Sequence, residues 1–144
     1  MYEGSEIALP HGLALSPDQA MLVVSDAQSR FSWSFQLSAD GGLIHGEPFY
    51  RLEMPESGWM SGVTGVTLDS IGQVYFATPL GVQMCEANGR TAAILNAPEP
   101  GAITALALAG DWLYVAEGGK LFRRPVKVKG VPAWAPAKLP RPPL

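Results

Sequence analysis

A threefold repeat of strand-forming segments is the feature that most constrains how this 144-residue chain can fold. Each copy has a short alternating apolar segment, a turn rich in Asp or Gly, and a denser apolar segment typical of a buried strand. A period of about 40 to 50 residues built from strands and turns is typical of β-propeller blades. The copies begin at Gly12, Gly65 and Ala105, and their denser segments are Leu22–Asp26, Val74–Thr78 and Leu113–Glu117.

The repeat predicts an all-β chain of about three four-stranded propeller blades. We expect a half-propeller domain over residues 1–130, with blades at about 8–52, 63–97 and 102–128. Residues 131–144 are rich in proline, which cannot donate to a strand ladder, and they predict a tail laid over the surface.

The first blade also contains a strictly alternating strand. Its residues Phe31, Trp33, Phe35 and Leu37 share one face, which predicts a packing surface between blades or, alternatively, a platform for stacking sugars.

Three blades are too few for a closed ring, because closed propellers carry four to eight. An open set of blades exposes two sheet edges that favour association. Two sets related by a twofold axis would make a six-bladed ring. The predicted partner is therefore a second copy of this chain, forming a homodimer, or an upstream half-propeller chain.

Composition and charge exclude several classes of function. The apolar content of 47% excludes a disordered chain. The sequence contains no apolar run long enough to predict a membrane span and no leader that predicts export. We therefore expect a cytoplasmic protein. All 13 acidic residues precede Lys120, and seven of the ten basic residues lie from Lys120 onward. No aromatic-interleaved basic patch accompanies this stretch. We therefore expect no nucleic-acid partner and predict that the basic stretch lies on the acidic body of the same protein.

Three segments resemble one known family in the same order along the chain. Residues 9–26 are similar to a Pro-Asn-Gly blade of the senescence-marker-protein/gluconolactonase/luciferin-regenerating-enzyme family, and residues 68–83 and 113–124 resemble two later blades. The resemblance implies a six-bladed propeller of about twice this length, to which this chain contributes the C-terminal half. It also implies hydrolysis of a small sugar lactone with a divalent metal, calcium or zinc, in the central channel.

The same resemblance assigns two candidate metal-ligand positions. The family takes its ligands from a Glu, an Asn, the Asn of Pro-Asn-Gly and an Asp before a Gly, and the first two positions fall outside this chain. His11 stands at the third position and Thr64 at the fourth. His11 could ligate a metal through its imidazole, or line the channel without one. Thr64 lacks the carboxylate that would hold a metal, and no catalytic residue is assigned.

Five further residues have structural interpretations. The single cysteine, Cys85, is predicted to be a packed thiol, and His45 a solvated residue in a turn. We expect Asp18, Asp40 and Asp69 to stabilise turns by accepting hydrogen bonds from their own backbone.

The sequence leaves three functions open. The first is a metal-dependent lactone hydrolase that works only once a second half completes it. The second is a non-catalytic binding or assembly module that keeps the scaffold without the chemistry. The third is a truncated product with no independent role.

Overall fold

The chain folds into three antiparallel sheets that follow one another along the sequence. The computed structural model describes residue 4, residues 6–132 and residues 134 and 136, and all its regular elements are strands. Each sheet is a meander in which consecutive strands are hydrogen-bonded neighbours. The strands are β1 (Pro10–Leu15), β2 (Met21–Asp26), β3 (Phe31–Leu37) and β4 (Leu43–Arg51) in the first sheet; β5 (Gly65–Leu68), β6 (Val74–Thr78), β7 (Gly81–Cys85) and β8 (Thr91–Leu95) in the second; and β9 (Ile103–Ala109), β10 (Trp112–Glu117) and β11 (Lys120–Pro125) in the third.

The all-β prediction is confirmed, and the third sheet has three strands among the described residues. The predicted division at residue 130 stays a prediction, because all but four residues of the 131–144 tail lie outside the described residues. Within the part of the chain that the structure describes, no helix is long and apolar enough to cross a membrane.

The core lies between successive sheets. Val23, Tyr50 and Leu52 of the first sheet region pack against buried residues of the second, among them Val66 and Phe76. A second cluster joins the second sheet to the third. A third cluster lies on the opposite face of the first sheet. Alternate side chains of β6 pack towards the first sheet and towards the third sheet. This explains why β6 is buried at all five positions.

The aromatic stripe of β3 belongs to the third cluster. Trp33 and Phe35 are buried and stack with ring centroids 6.1 Å apart. They pack with Val24, whereas Phe31, at the end of the strand, stays 37% exposed. The serines between these aromatics, Ser32 and Ser34, are buried on the other face. Trp33 and Phe35 thus pack within the first sheet region, and the packing of this stripe against another blade stays a prediction.

Strand β4 is irregular. It runs from Leu43 to Arg51, and two register irregularities against β3 let it continue through His45. His45 adopts a φ of 51° inside this strand, so the prediction that it lies in a turn is wrong, although its side chain is exposed as expected. Pro48 is tolerated because β4 is the outermost strand, where no further strand needs its missing N–H.

The basic stretch begins in the third sheet, where its first residues form β11. Lys120 forms an ion pair with Glu99 at 2.8 Å, and Lys129 forms one with Asp111 at 3.0 Å. Both partners flank the third sheet. Because both acidic partners precede Lys120, these two ion pairs of the described residues join the basic stretch to the acidic body of the same protein.

Candidate functional site

The first strands of the three sheets lie side by side and begin at the same end of the molecule. β1 contacts β5, and β5 contacts β9. At their N-terminal ends, the Nδ1 of His11 is 2.9 Å from the carbonyl oxygen of Thr64, and the Thr64 hydroxyl donates to the carbonyl of Ile103 at 2.6 Å. The structure therefore brings together the two candidate residues named from the sequence, and links them to the third sheet.

The hydrogen bond of His11 fixes which ring nitrogen carries the proton in its neutral form. A carbonyl oxygen can only accept, so Nδ1 donates to Thr64 and the Nε2 of neutral His11 keeps its lone pair. The side chain is exposed at the strand end. A backbone carbonyl that orients one nitrogen while the other stays available is an arrangement common to histidine bases and histidine metal ligands.

Thr64 is held by the fold at both of its donors. Its N–H donates to the carbonyl of Ala77 at 2.9 Å, while its hydroxyl proton is engaged by Ile103. The residue is half-buried. In this arrangement Thr64 joins the first, second and third sheets, and its clearest role is to hold the three strand ends in place.

A third residue at this end of the sheets, Asp26, was missed by the sequence reasoning. Its carboxylate is fully buried and accepts hydrogen bonds from the N–H groups of Ala8, Leu9 and Gln28 at 2.9, 3.0 and 3.1 Å. Asp26 therefore anchors the segment that leads directly into His11.

The repeat contains a signal for this position. Asp26, Thr78 and Glu117 each end the second strand of their sheet, and all three are buried. Glu117 accepts from the N–H of Glu99 at 3.4 Å with one oxygen, while its Oε1 has no hydrogen-bond partner among the described residues. A buried polar residue recurring at the same position indicates a structural demand, because an unpaired one is costly.

The described residues do not by themselves hold a divalent metal. They contain no group of three or more His, Cys, Asp or Glu side chains placed to bind one ion. Calcium takes six to eight oxygen ligands, and His11 with Thr64 offers one imidazole nitrogen and one hydroxyl. Zinc needs three or four ligands, of which His11 could be one. A metal at this position would need further ligands from outside the described residues.

Cys85 lies in the core between the first and second sheets. It is fully buried, and its Sγ is 3.7 Å from the Thr91 hydroxyl. Burial raises the pKa of the Cys85 thiol from its ordinary value of 9.0 to about 11. The side chain is thus the packed thiol that the sequence predicted, and not an activated nucleophile.

The three predicted turn aspartates all bond to nearby backbone. Asp18 accepts from the N–H of Ala20, and Asp40 accepts from Gly42. A hydrogen bond from the Ser16 hydroxyl lowers the pKa of Asp18, and one from the Ser38 hydroxyl lowers the pKa of Asp40. Asp69 differs because it is buried and also accepts a hydrogen bond from the Tyr75 hydroxyl at 3.0 Å. The pKa of Tyr75 is raised, mainly because the hydroxyl is buried and secondly because of the negative charge of Asp69.

Comparison with known proteins agrees with this architecture. Residues 3–117 match the family model described as the SMP-30/Gluconolactonase/LRE-like region. No curated protein sequence matches the chain.

Solved structures of similar fold include three enzymes or metal-binding proteins. A calcium-binding regucalcin from Agrobacterium tumefaciens is 22% identical with a TM-score of 0.71, over 87% of this chain and 48% of its own. A luciferin-regenerating enzyme is 23% identical with a TM-score of 0.68, over 92% and 49%. A gluconolactonase from Xanthomonas campestris is 25% identical with a TM-score of 0.65, over 81% and 37%. The chain thus spans less than half the length of these proteins, and its three sheets correspond to roughly half of a six-bladed propeller.

Proposed function

Because the chain belongs to the SMP-30/gluconolactonase/LRE-like family, we propose that it is one half of a propeller that hydrolyses sugar lactones. The observation that carries the proposal is the position of His11. Its imidazole lies at the start of β1, which together with β5 and β9 forms the row of first strands, called here the inner strands. The Thr64 carbonyl orients the ring and leaves Nε2 available. A gluconolactonase among the structural relatives supports a cyclic ester as the substrate class.

In lactone hydrolysis, water attacks the carbonyl carbon and loses a proton to a base. The ring C–O bond then breaks, and the leaving ring oxygen takes up that proton to become the hydroxyl group of a hydroxy acid. Within the part of the chain that the structure describes, the Nε2 of neutral His11 is placed to accept that proton at this end of the sheets. Asp26 supports the same function indirectly, because it fixes residues 8 and 9 immediately before the histidine. A divalent metal would require ligands from the other half of the ring.

Closure of the ring is therefore part of the proposal. The three sheets supply one side of a channel, and a second set of blades supplies the other. That second set would come from a second copy or from a separate half-propeller chain. In either case His11 would face groups from the partner.

The proposal is tested by gluconolactone hydrolysis followed in a pH-stat, using the full chain purified without chelator and supplied with calcium, zinc or manganese. We expect metal-stimulated hydrolysis that is lost in His11→Ala. His45→Ala is the matched control, because it removes the other histidine of the chain from an exposed bulge of β4 and should leave the rate unchanged. If the chain closes the ring with a second copy, hydrolysis that is absent with every metal contradicts the proposal. Hydrolysis that is untouched by His11→Ala contradicts it whichever partner closes the ring.

One observation favours a second candidate, a non-catalytic binding or assembly module. The residue at the position where the family resemblance implies an Asp is Thr64, and its hydroxyl proton is committed to the Ile103 carbonyl. A module of this kind would fold and associate but bind no metal. Elemental analysis of the purified protein separates the two candidates, since bound metal in stoichiometric amount would count against the module.

A further inference from the structure

The three sheets form a row, so the first and the last each have one face that packs against no other described sheet. The first-sheet face is defined by Leu13 and Leu15 of β1 and by Leu22 of β2. Leu13 and Leu15 are 66% and 48% exposed, while Ala14 between them packs towards the second sheet. Register confirms the face, because Leu15 pairs directly with Leu22.

The third-sheet face is defined by Ala105, Ala107, Tyr114, Leu121 and Arg123. Tyr114 pairs with Ala107 on one side and Arg123 on the other, so these three share a face. Leu121 of β11 is 84% exposed on this face. On the opposite face, Leu113 and Val115 of β10 are buried against the second sheet. An exposed apolar face of this kind marks an interaction site.

The repeat shows how inner strands meet in this fold. Gly12 and Gly65 occupy the same position in their copies, and a Cβ added at Gly12 would lie 3.1 Å from the Gly65 Cα. A Cβ added at Gly65 would lie 3.7 Å from the Cα of Ala105. Small residues at this position therefore let neighbouring inner strands approach closely. Ala105 is the third such residue, and its own outer face is exposed.

The strands β1 and β9 carry side chains of different size on the two end faces. The first-sheet face presents large aliphatic side chains from its inner strand, Leu13 and Leu15. The third-sheet face presents a shelf of small side chains from its inner strand, Ala105 and Ala107, with Leu121 beside it. Large residues against small ones are what interdigitated packing requires.

The two end regions are also complementary in charge. Residues 6–52 contain five acidic residues and two arginines, which gives −3. Residues 103–132 contain two acidic and five basic residues, which gives +3. Opposite charges of this kind favour encounter between two different ends and disfavour contact between two identical ones.

From these observations we propose that the first-sheet face of one copy packs against the third-sheet face of a second copy, and that a twofold axis repeats the contact to close a ring of six sheets. The inference deepens the proposed function, because the second copy would bring its own His11 into the channel. It rests on the proposed function only for what that channel does. The contact itself is argued only from the two faces.

The test is the molar mass of the full chain by size-exclusion chromatography with light scattering, over a range of about 1 to 100 μM. We expect a dimer for the wild type, and monomers for Leu13→Asp and for Leu121→Asp at the same concentrations. Each substitution changes two equivalent contacts, so a tenfold loss at each would raise the dimer Kd about a hundredfold. Ile71→Asp is the matched control, because this residue is 77% exposed in a turn of the second sheet and should leave the dimer intact.

A monomeric wild type would overturn the inference in favour of a separate half-propeller partner. A dimer that survives both Leu13→Asp and Leu121→Asp, or that Ile71→Asp disrupts equally, would overturn the assigned faces, and open-ended polymers would overturn ring closure. Circular dichroism checks that each variant is folded, and if Leu13→Asp is not, Leu121→Asp decides. Since mass is measured without substrate or metal, an inactive dimer refutes the proposed lactone hydrolysis and leaves this inference standing, whereas an active monomer refutes this inference and ring closure and leaves lactone hydrolysis standing.

Discussion

Replacing Asp26 with alanine should destabilise the protein far more than replacing an exposed turn aspartate. The buried carboxylate of Asp26 accepts three backbone N–H groups, and it joins the β2–β3 turn to the segment before β1. Asp40 also accepts a backbone N–H, from Gly42, but its side chain is exposed. The two aspartates thus share a bonding pattern and differ in burial and in the number of groups they anchor.

The magnitude follows from those contacts. A hydrogen bond to a charged group contributes about 1.5 to 3 kcal/mol, and Asp26 makes three of them. Part of this is offset, because the variant no longer buries a carboxylate and because water can reach the exposed residues 8 and 9. A net loss of about 3 kcal/mol remains. That is a large share of the roughly 5 to 15 kcal/mol by which a domain is stable.

Urea unfolding at one fixed protein concentration, followed by circular dichroism, measures the effect. A loss of about 3 kcal/mol should lower the midpoint for Asp26→Ala by about 1 to 3 M, because urea m-values of small proteins are about 1 to 3 kcal/mol per M. Asp40→Ala should barely move the midpoint. Equal midpoints for the two variants would refute the reasoning, because they would mean that the buried carboxylate does not anchor the segment before His11.

Three further changes test other parts of the account. Because the pKa of buried Cys85 is raised to about 11, the folded state holds the thiol proton more tightly than the unfolded state does. The resulting contribution to the free energy of unfolding is complete below pH 9 and is lost as the pH rises through about 11. Urea titrations at several pH values should show a decrease of about 3 kcal/mol in the free energy of unfolding, and Cys85→Ala should lack this decrease. Gly81→Ala should lower the free energy of unfolding by about 3 kcal/mol or more, seen as a lower Tm, because Gly81 has a φ of 116° and an added Cβ would clash with the Leu95 carbonyl oxygen. Thr64→Val should cost about 1 to 2 kcal/mol in the same assay, because it leaves the Ile103 carbonyl without its hydroxyl donor; an unchanged Tm would contradict the linking role.

The strands with regular patterns could be predicted from sequence because burial imposes a period on the side chains. β2, β6 and β10 were found through dense apolar segments that the repeat reproduces three times. The limits of β4 could not be predicted. Its irregular register against β3 places His45 at a left-handed φ and brings a proline into the strand, features that read locally as a turn.

The candidate site was predictable in its position and not in its support. His11 and Thr64 were singled out by their places in the repeat and by the family resemblance, and they do meet. The role of Asp26 depends on backbone groups 17 and 18 residues away in sequence, which only the tertiary fold brings near. The exposed end faces likewise emerge only once it is known which side of each sheet the neighbouring sheet covers.

Small-angle X-ray scattering on the full chain tests ring closure most directly, because it reports mass and shape together. A closed ring of two copies has twice the 15.3 kDa mass of one chain and should be compact. Its radius of gyration should be about 19 Å, the value expected for a globular particle of that size. A particle with the mass of one chain, or a dimer with a radius of gyration well above 19 Å, would contradict the account.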